Sequence, residues 1–506
     1  MSTNTNNKLA DLQVRRNEIA QGGGTEKIAK QHDAGKLTAR ERINLLFDEG
    51  SFIELDAFAG TTAPCDGVIC GYGTVDMRPV FAYAQDFTVM GGSVGQIHGN
   101  KIAKVIDLAV KTGAPIVSML DSGGARIQEG SDALAAMGLI MQKTVSASGV
   151  VPQLAAIMGP CAGGAAAAAG LADFILMTKE ASSLYLSSPS AIKGTTGEDM
   201  DAKTLGGAMA NAEENGNCHI VCENDESLLA AVKTLLSYLP ANNLEDAPIL
   251  ETDDINRISP VLSTIMLDND DTSYDVKTVI SEIADLGSMF EIMPFYAKNM
   301  VTVLARMNGT TVGFVANQAA EGGLVDCAAA EKATRFIRFC DSFNIPLLSL
   351  TDTDGYVASV AQERQGLARK TAAMAYAFAE ATVPKINVIL RKAYGSAYIA
   401  MGSKHIGADM TYAWPTAQIG VMHADGAANI IYRKEMQTAE DPIRARGEFI
   451  ENFKKTFANP FEAAKHGYVD DVIEPDSTRP RVIAALLMLA GKREVLPAKK
   501  HGTMPL

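Results

Sequence analysis

A glycine pair after an uncharged run is the feature of this sequence best suited to chemistry. Gly163 and Gly164 precede an alanine-rich stretch, which predicts that they open a helix. There a ligand can approach the backbone closely, and the N–H groups of the helix start can point at an oxygen atom. An additional N–H group from the turn at residues 122–125 would complete an oxyanion hole. The sequence therefore predicts catalytic positions at this pair and substrate-binding positions at Gly124 and Ala125. The alternative is a glycine pair that serves only close helix packing.

The same order of features returns later in the chain. Three residue pairs lie 231, 231 and 233 positions apart: Pro115 and Pro346, Asp121 and Asp352, Gln85 and Gln318. Helical patterns that alternate with short apolar runs are typical of α/β proteins. We therefore predict two copies of one α/β unit from an internal duplication, at residues 1–250 and 251–506. The alternative is the strand–turn–helix rhythm that all α/β proteins share.

The duplication places a second candidate site in the C-terminal copy. At an offset of 232, the first glycine pair and its following alanine fall on Gly395, Ser396 and Ala397. Two equivalent anion-stabilising turns suit a reaction with two carbonyl reactants that each pass through an enolate-like state. Ser396 and Ala397 are therefore predicted as catalytic positions.

The composition excludes several classes of protein. The chain has 506 residues, 47% hydrophobic and 21% charged, which is ordinary globular usage. Its net charge of −14 argues against nucleic-acid binding, which needs a basic surface. The seven cysteines and seven histidines are too scattered for a metal site, so none is predicted.

One stretch imitates a membrane span. Residues 154–172 carry no charge over 19 positions, which is long enough to cross a bilayer. Pro160 and several glycines interrupt this stretch, so a buried strand, a turn and a small-residue helix are predicted instead. The N-terminus has no apolar signal region, which favours a cytoplasmic location.

Other candidates have simpler interpretations. The glycine-rich residues 91–95 lack the Lys-Ser/Thr of a P-loop and are interpreted as a loop over a substrate. His98 and His423 are interpreted as hydrogen-bonded structural residues. Arg126 and Glu129 are interpreted as a structural ion pair rather than as catalytic groups.

Motifs along nearly the whole chain resemble those of the biotin-dependent acyl-CoA carboxyltransferases. They lie at residues 35–42, 121–129, 158–164, 281–292, 335–341, 379–384, 426–431 and 499–502. The resemblance implies two tandem crotonase-like (ClpP/crotonase) domains and a hexamer built as a trimer of dimers. It also implies that acyl-CoA binds the N-terminal half of one chain and that biotin approaches the C-terminal half of the dimer partner.

The resemblance also assigns residues. It implies that Gly163 and Gly164 face the thioester and that Ser396 and Ala397 face the biotin ureido oxygen. Substrate contacts are expected at three more positions, Tyr398, Ile399 and Gly355, and Ile399 matches a position that varies with substrate in the family. Three residues are candidates for cofactor binding through phosphate: Lys36, Arg40 and Arg42. From their sequence alone these three are typical of a solvated helix face.

The expected function is carboxyl transfer between a malonyl-type CoA thioester, methylmalonyl-CoA or malonyl-CoA, and biotin. No Ala-Met-Lys-Met acceptor or ATP-grasp pattern is present, so biotin is expected on a carrier protein. Length and tail are most similar to methylmalonyl-CoA decarboxylase subunits, which favours decarboxylation and a membrane partner subunit. The alternatives are the beta subunit of an ATP-dependent acyl-CoA carboxylase, with a biotin carboxylase as partner, and a non-catalytic scaffold subunit.

Three departures from the family pattern bear on these expectations. Ser396 replaces a glycine, and Asp354 places a charge where the family usually has proline. Residues 165–170 replace a segment that usually contains tyrosine, which predicts a larger or reshaped pocket near the thioester. These changes affect the expected substrate rather than the expected fold.

Overall fold

Two units of similar topology make up the structure, a computed structural model that describes residues 2–60, 63–250, 253–265 and 272–505. The units are Met1–Asp246 and Ala247–Leu506, here called the N-terminal and C-terminal units. Residues 245–275, between the two sheets, include one short helix (Leu262–Ile265), and residues 251–252 and 266–271 lie outside the described part.

The N-terminal unit is an α/β unit. Its helices are α1 (Ser2–Ala20), α2 (Thr25–Asp33), α3 (Ala39–Leu46), α4 (Gln96–Thr112), α5 (Ser131–Ala147), α6 (Gly164–Ala169), α7 (Pro189–Thr196), α8 (Ala202–Gly206), α9 (Ala208–Glu213) and α10 (Asp225–Tyr238). Short 3-10 turns cover Pro64–Gly67, Met90–Gly92 and Ile127–Glu129. Its strands are β1 (Ile53–Leu55), β2 (Val68–Val75), β3 (Arg78–Gln85), β4 (Ile116–Ser122), β5 (Gln153–Ala162), β6 (Phe174–Thr178), β7 (Ser183–Tyr185) and β8 (Ile220–Cys222).

The C-terminal unit repeats this pattern. Its helices are α11 (Leu262–Ile265), α12 (Val276–Ile283), α13 (Cys327–Ser342), α14 (Val360–Arg364), α15 (Leu367–Glu380), α16 (Gly395–Ala400), α17 (Ala424–Ile431), α18 (Arg433–Thr438), α19 (Pro442–Thr456), α20 (Pro460–Lys465) and α21 (Thr478–Leu489). Short 3-10 turns cover Ala319–Glu321, Lys404–Ile406 and Pro475–Ser477. Its strands are β9 (Phe290–Ile292), β10 (Met300–Met307), β11 (Thr310–Asn317), β12 (Leu347–Thr353), β13 (Lys385–Tyr394), β14 (Met410–Ala413), β15 (Gln418–Gly420) and β16 (Asp471–Val472).

Both sheets have the same strand order and the same directions. In the N-terminal unit the order is β1-β2-β3-β4-β5-β6-β8, with β7 paired to β5, and in the C-terminal unit it is β9-β10-β11-β12-β13-β14-β16, with β15 paired to β13. The first three strands of each sheet are antiparallel, and the rest are parallel. The carboxyl ends of parallel strands share one edge of a sheet, which brings the glycine turns of each unit together.

Local sequence patterns account for the central elements. In α4, Ile102, Val105, Ile106 and Ala109 form one buried face, and Gly113 ends the helix in a left-handed conformation. Residues 154–172 form β5 and α6, as predicted, and not one long helix. No helix within the described ranges is long and apolar enough to cross a membrane.

One predicted correspondence is wrong. The equivalent of Gln85 at the end of β3 is Asn317 at the end of β11, rather than Gln318. The Gln85 side-chain carbonyl accepts the Asp121 N–H at 3.3 Å, and that of Asn317 accepts the Asp352 N–H at 3.2 Å. Gln85 and Asn317 are therefore the equivalent residues, because their side-chain amides make the same hydrogen bond although the residue types differ.

Candidate active site

The first turn of the N-terminal unit follows β4. Ser122 Oγ accepts the N–H of Gly124 at 3.1 Å, and Gly124 has a φ of 100°, which favours glycine. A parallel bridge joins Val94 to Ala125: Val94 N–H donates to the Gly124 carbonyl at 2.9 Å, and Arg126 N–H donates to the Val94 carbonyl at 2.8 Å. The Ala125 N–H has no acceptor among the described residues.

The neighbouring turn follows β5. Gly163 adopts φ 61° and ψ −129°, and its N–H donates to the Tyr185 carbonyl at 3.1 Å. Gly163 therefore supplies the backbone conformation, whereas the N–H of Gly164, at the start of α6, has no acceptor in the described part of the chain. A Cβ added to Gly124 would lie 3.2 Å from the Ala162 carbonyl oxygen, so the two turns are in contact.

The C-terminal unit contains the same turn, with the same bonds. Thr353 Oγ1 accepts the Gly355 N–H at 3.2 Å, and Val325 N–H donates to the Gly355 carbonyl at 3.0 Å. Val325 forms a parallel bridge with Tyr356, and Val357 N–H donates to the Val325 carbonyl at 3.0 Å. Gly355 has a φ of 137°, and a Cβ added there would meet no atom within 4 Å, which leaves the turn open to a ligand.

The second glycine turn leads into α16. Gly395 has a φ of 64°, close to the 61° of Gly163. Ser396 and Ile399 lie on the exposed face of α16, whereas Ala397 is buried. The Tyr356 hydroxyl donates to the Ser396 carbonyl at 3.1 Å and so joins the two turns of this unit. Tyr356 was not predicted, because its partner lies 40 positions away.

Tyr398 does not reach the surface of its unit. Its side chain is 3% exposed and packs against Ile389, Ala393 and Ala413. Burial raises the pKa of its hydroxyl. That hydroxyl has no hydrogen-bond partner among the described residues. The structure does not support the predicted substrate contact for this side chain, because neighbouring residues enclose it.

The three predicted cofactor-binding cations differ in position. Lys36 and Arg42 are 7% and 0% exposed, and both pair with the Asp121 carboxylate, at 3.0 and 2.9 Å. The interpretation as a solvated helix face is wrong for these two residues, and their burial leaves no surface for a phosphate contact. Arg40 is partly exposed and pairs with Glu54 at 2.9 Å.

Asp354 is neutralised within its own unit. Its carboxylate lies 2.8 Å from Lys392 Nζ and 4.0 Å from His423 Nε2. The corresponding position in the N-terminal unit is Gly123. The ion pair with Lys392 compensates the negative charge that this departure brings to the second turn.

Arg126 and Glu129 form the predicted structural pair at 2.7 Å. Arg126 also binds Asp66 at 2.9 Å and the Ser93 carbonyl at 3.0 Å, and so holds the glycine-rich loop at residues 91–95. Glu129 accepts the N–H of Gln96, the first residue of α4, at 2.6 Å. The pair therefore fixes the elements around the first turn.

Both histidine interpretations are confirmed. His98 is fully buried, with Nδ1 3.0 Å from the Asp66 carbonyl and Nε2 3.3 Å from Gln85 Nε2. Burial lowers the pKa of His98 to about 3, so the ring is neutral. His423 caps α17, because its Nδ1 accepts the Asp425 N–H at 3.4 Å.

Comparison with known proteins identifies the family. The family described as Carboxyl transferase domain matches residues 30–504. The chain is 47% identical to methylmalonyl-CoA decarboxylase subunit alpha of Propionigenium modestum and 48% identical to the propionyl-CoA carboxylase carboxyltransferase subunit of Haloferax mediterranei, over 99% of both chains in each case. The predicted family is therefore confirmed.

A solved structure agrees with the fold. The crystal structure of transcarboxylase 12S, a hexamer with methylmalonyl-coenzyme A and methylmalonic acid bound, has a TM-score of 0.96 and 47% identity, with 98% of both chains covered. The predicted pair of tandem crotonase-like domains is confirmed by this likeness and by the two matching sheets.

Proposed function

The chain belongs to the carboxyl transferase domain family, and we propose that it moves a carboxyl group between a short-chain malonyl-type CoA thioester and biotin on a partner protein. The observation that supports this reaction most directly is that each unit has an equivalent pair of turns, at Gly124 and Gly164 in the N-terminal unit and at Gly355 and Ser396 in the C-terminal unit. We assign the acyl-CoA to the N-terminal unit, in keeping with the family resemblance, and biotin to the C-terminal unit.

The N-terminal turns suit an enolate. When the bond from the α-carbon to the carboxyl group breaks, its electron pair enters the enolate and the negative charge moves to the thioester oxygen. The N–H groups of Gly164 and Ala125, which lack acceptors within the described residues, are the donors that stabilise this oxygen. One such donor contributes about 3–4 kcal/mol to the transition state and needs no change in protonation.

The C-terminal turns fit a flat carbonyl group. Biotin, when bound, would supply a nitrogen that takes the carboxyl group in exchange for its proton, and this proton would go to the α-carbon of the enolate. Gly355 leaves open space at the turn, and the exposed Ser396 side chain does not point into the core. The Tyr356 hydroxyl fixes the Ser396 carbonyl and so orients the start of α16. Holding both reactants close together provides much of the remaining acceleration.

The partners follow from the same proposal. The sequence has no biotin acceptor motif, so a biotin carboxyl carrier protein is the expected source of the cofactor. The relatives support a hexamer, since transcarboxylase 12S is one, and the dimer within it would supply the opposite halves of each site. Decarboxylation, with a membrane decarboxylase subunit as a further partner, is the direction that we propose, in keeping with the resemblance of length and tail to methylmalonyl-CoA decarboxylase subunits.

Two alternatives have specific support. Propionyl-CoA carboxylase subunits match equally well, which favours a carboxylase beta subunit with a biotin carboxylase partner. The substitution of Ser396 for glycine is the observation that favours a non-catalytic scaffold. The Gly164 N–H, which has no acceptor among the described residues, and the open turn at Gly355 argue against the scaffold.

The test is biotin-dependent turnover. Purified protein, shown by intact mass to carry no covalent biotin, is incubated with methylmalonyl-CoA or malonyl-CoA, with and without free biotin. Propionyl-CoA or acetyl-CoA should form only with biotin, as measured by chromatography of the CoA esters. Equal turnover without biotin contradicts the two-site reaction, and no turnover with any CoA ester supports the scaffold.

A further inference from the structure

Asp121 and Asp352 lie near the ends of β4 and β12, directly before the turns at Gly124 and Gly355. Asp121 immediately precedes Ser122, and Asp352 immediately precedes Thr353, whose hydroxyl groups accept the N–H of the turn glycines. Both aspartates are buried, at 0% and 3% exposure. Building on the proposed function, we infer that they are positioning residues, Asp121 for the turn that receives the acyl-CoA and Asp352 for the turn that receives biotin.

Asp121 is held by side chains from α2, from α3 and from the loop between these two helices. Lys36 Nζ lies 3.1 and 3.0 Å from the two carboxylate oxygens, and Arg42 Nη1 lies 2.9 Å from Oδ2. Gln31 Nε2 donates to Oδ2 at 3.0 Å. Charge-assisted hydrogen bonds from two cations fix the orientation of this carboxylate. The segment at residues 31–42 is thus attached to the first turn.

The backbone of Asp121 is fixed as well. Its N–H donates to Gln85, and a Cβ added to Gly92 would lie 2.2 Å from its carbonyl oxygen. A Cβ added to Gly159 would lie 2.0 Å from its Oδ1. These close contacts leave the residue that begins the turn little freedom to move.

Asp352 is held in the same way by different residues. Arg391, on the neighbouring strand β13, places Nη2 3.0 Å and Nε 3.1 Å from Oδ2. The Tyr274 hydroxyl donates to Oδ2 at 2.8 Å, and Lys392 N–H donates to Oδ1 at 2.9 Å. A Cβ added to Gly323 would lie 2.6 Å from the Asp352 carbonyl oxygen, as at Gly92 in the first unit.

Neither aspartate needs to contact a reactant to affect the reaction, because each one sets the position of the turn that follows it. Each aspartate lies three residues before its turn glycine, Gly124 or Gly355, and its carboxylate binds side chains of its own unit. Displacing a reacting group by about 1 Å can cost about 100-fold in rate. A carboxylate that fixes the end of a strand therefore controls the N–H donors that follow it. Each aspartate should affect one reactant only, whereas a purely structural ion pair would affect both reactants or neither.

The test compares the KM values of the two substrates. Asp121→Asn and Asp352→Asn are assayed with the CoA thioester varied at fixed free biotin, and then the reverse. Asp121→Asn should lower kcat and raise KM for the thioester at least fivefold, with KM for biotin within twofold of wild type. Asp352→Asn should raise KM for biotin and leave KM for the thioester within twofold.

Asp285→Asn is the matched control. Asp285 is also fully buried and pairs with Arg479 at 2.7 Å, but it binds the Gly309 N–H at the hairpin end of β11, opposite Asn317. This substitution should lower stability and leave both KM values unchanged. This control shows what the loss of a buried ion pair does when the geometry of the two turns is kept.

Milder variants keep the inference testable if an asparagine variant does not fold. Gln31→Leu and Tyr274→Phe each remove one hydrogen bond to Asp121 or Asp352 and should give smaller, side-specific KM increases. Equal KM changes for both substrates, or none, in folded variants would overturn the inference. Wild-type protein without biotin-dependent turnover would instead refute the proposed function, so the two failures are distinguishable.

Discussion

Lys101 and Lys332 lie 231 positions apart and hold backbone in the same way. Lys101 Nζ donates to the carbonyls of Cys65 and Val68, both at 2.7 Å, and Lys332 Nζ donates to those of Met293 and Tyr296, both at 2.8 Å. Lys101 lies on α4 and Lys332 on α13, and both side chains are buried. Each unit thus uses one ammonium group to fix the segment between the first two strands of its sheet.

Lys332→Met should destabilise the protein. The substitution leaves the part-buried Tyr296 carbonyl without a donor among the described residues, which costs about 1–3 kcal/mol, and removes one of the two donors to the Met293 carbonyl. Thermal unfolding followed by circular dichroism is the measurement. Lys104→Met is the matched control, because Lys104 lies on α4 as a half-exposed partner of Asp56 and should change stability little. Equal melting temperatures for Lys332→Met and wild type would contradict the role given to the ammonium group.

His98 should make the protein sensitive to acid. Its pKa is lowered by burial from 6.5 to about 3, so the unfolded chain binds a proton in the window between these values that the folded chain does not. Stability from the neutral ring is complete above pH 6.5 and is lost as pH falls, by about 2 kcal/mol at pH 5. His98→Gln removes this dependence. The melting temperature of wild type minus that of His98→Gln should fall from pH 7.5 to pH 5, and a constant difference would disagree with a buried neutral histidine.

Gly164→Val should abolish turnover without unfolding the chain. A Cβ at this position already lies 3.3 Å from Met137 Sδ, and the valine branch displaces the N–H donor at the start of α6. Loss of one oxyanion donor lowers kcat by about 10²–10³-fold. Gly170→Ala, at the other end of α6 in ordinary helical conformation, is the control and should retain turnover. Wild-type kcat in Gly164→Val would show that the turn is only structural.

Ile399→Asp should change the preference among acyl groups. Ile399 is 37% exposed on the same face of α16 as Ser396, which makes it accessible to a substrate. A charge beside an apolar acyl chain removes a contact that contributes about 0.8 kcal/mol for each buried CH₂ group. The ratio of kcat/KM for methylmalonyl-CoA to that for malonyl-CoA should fall, whereas Ile399→Val should preserve it. An unchanged ratio for the aspartate variant would remove this residue from specificity.

Tyr398→Phe should not lower the melting temperature. The Tyr398 hydroxyl is buried without a partner among the described residues, so its removal relieves a desolvation cost of about 1–3 kcal/mol. Tyr274→Phe is the comparison, because that hydroxyl donates to Asp352 and its loss should be destabilising. A fall in turnover for Tyr398→Phe at unchanged stability would indicate that the hydroxyl contacts substrate after all.

Features that depend on residues close together in the chain could be predicted best. The strand–turn–helix at residues 154–172 could be predicted because a lack of charge, glycine position and alanine content are all visible in one window. The burial of Arg42 could not, since its partners Asp121 and Asp225 lie 79 and 183 positions away. The direction of a side chain could not be predicted from the sequence either: Tyr398 and Ile399 are neighbours, yet Tyr398 is buried and Ile399 is exposed. Asp121 and Asp352 mark the repeat in the sequence, and their position before a Ser-Gly or Thr-Asp-Gly turn is a further local signal of their role.

The attachment of Arg42 to Asp225 has a consequence for biosynthesis. The N-terminal helices leave the ribosome first, yet Arg42 binds a carboxylate that is synthesised 183 residues later, and Leu37 N–H binds the same one at 2.9 Å. At about 5–20 residues per second, that interval lasts roughly 10–40 seconds. In the C-terminal unit, Arg391 is only 39 residues from Asp352, and its ion pair can form almost at once. Asp121, only 79 residues after Arg42, can pair with it earlier, but the second carboxylate that holds the segment at residues 37–42 arrives only when the N-terminal unit is nearly complete. The docking of this segment is therefore finished late in the synthesis of its unit.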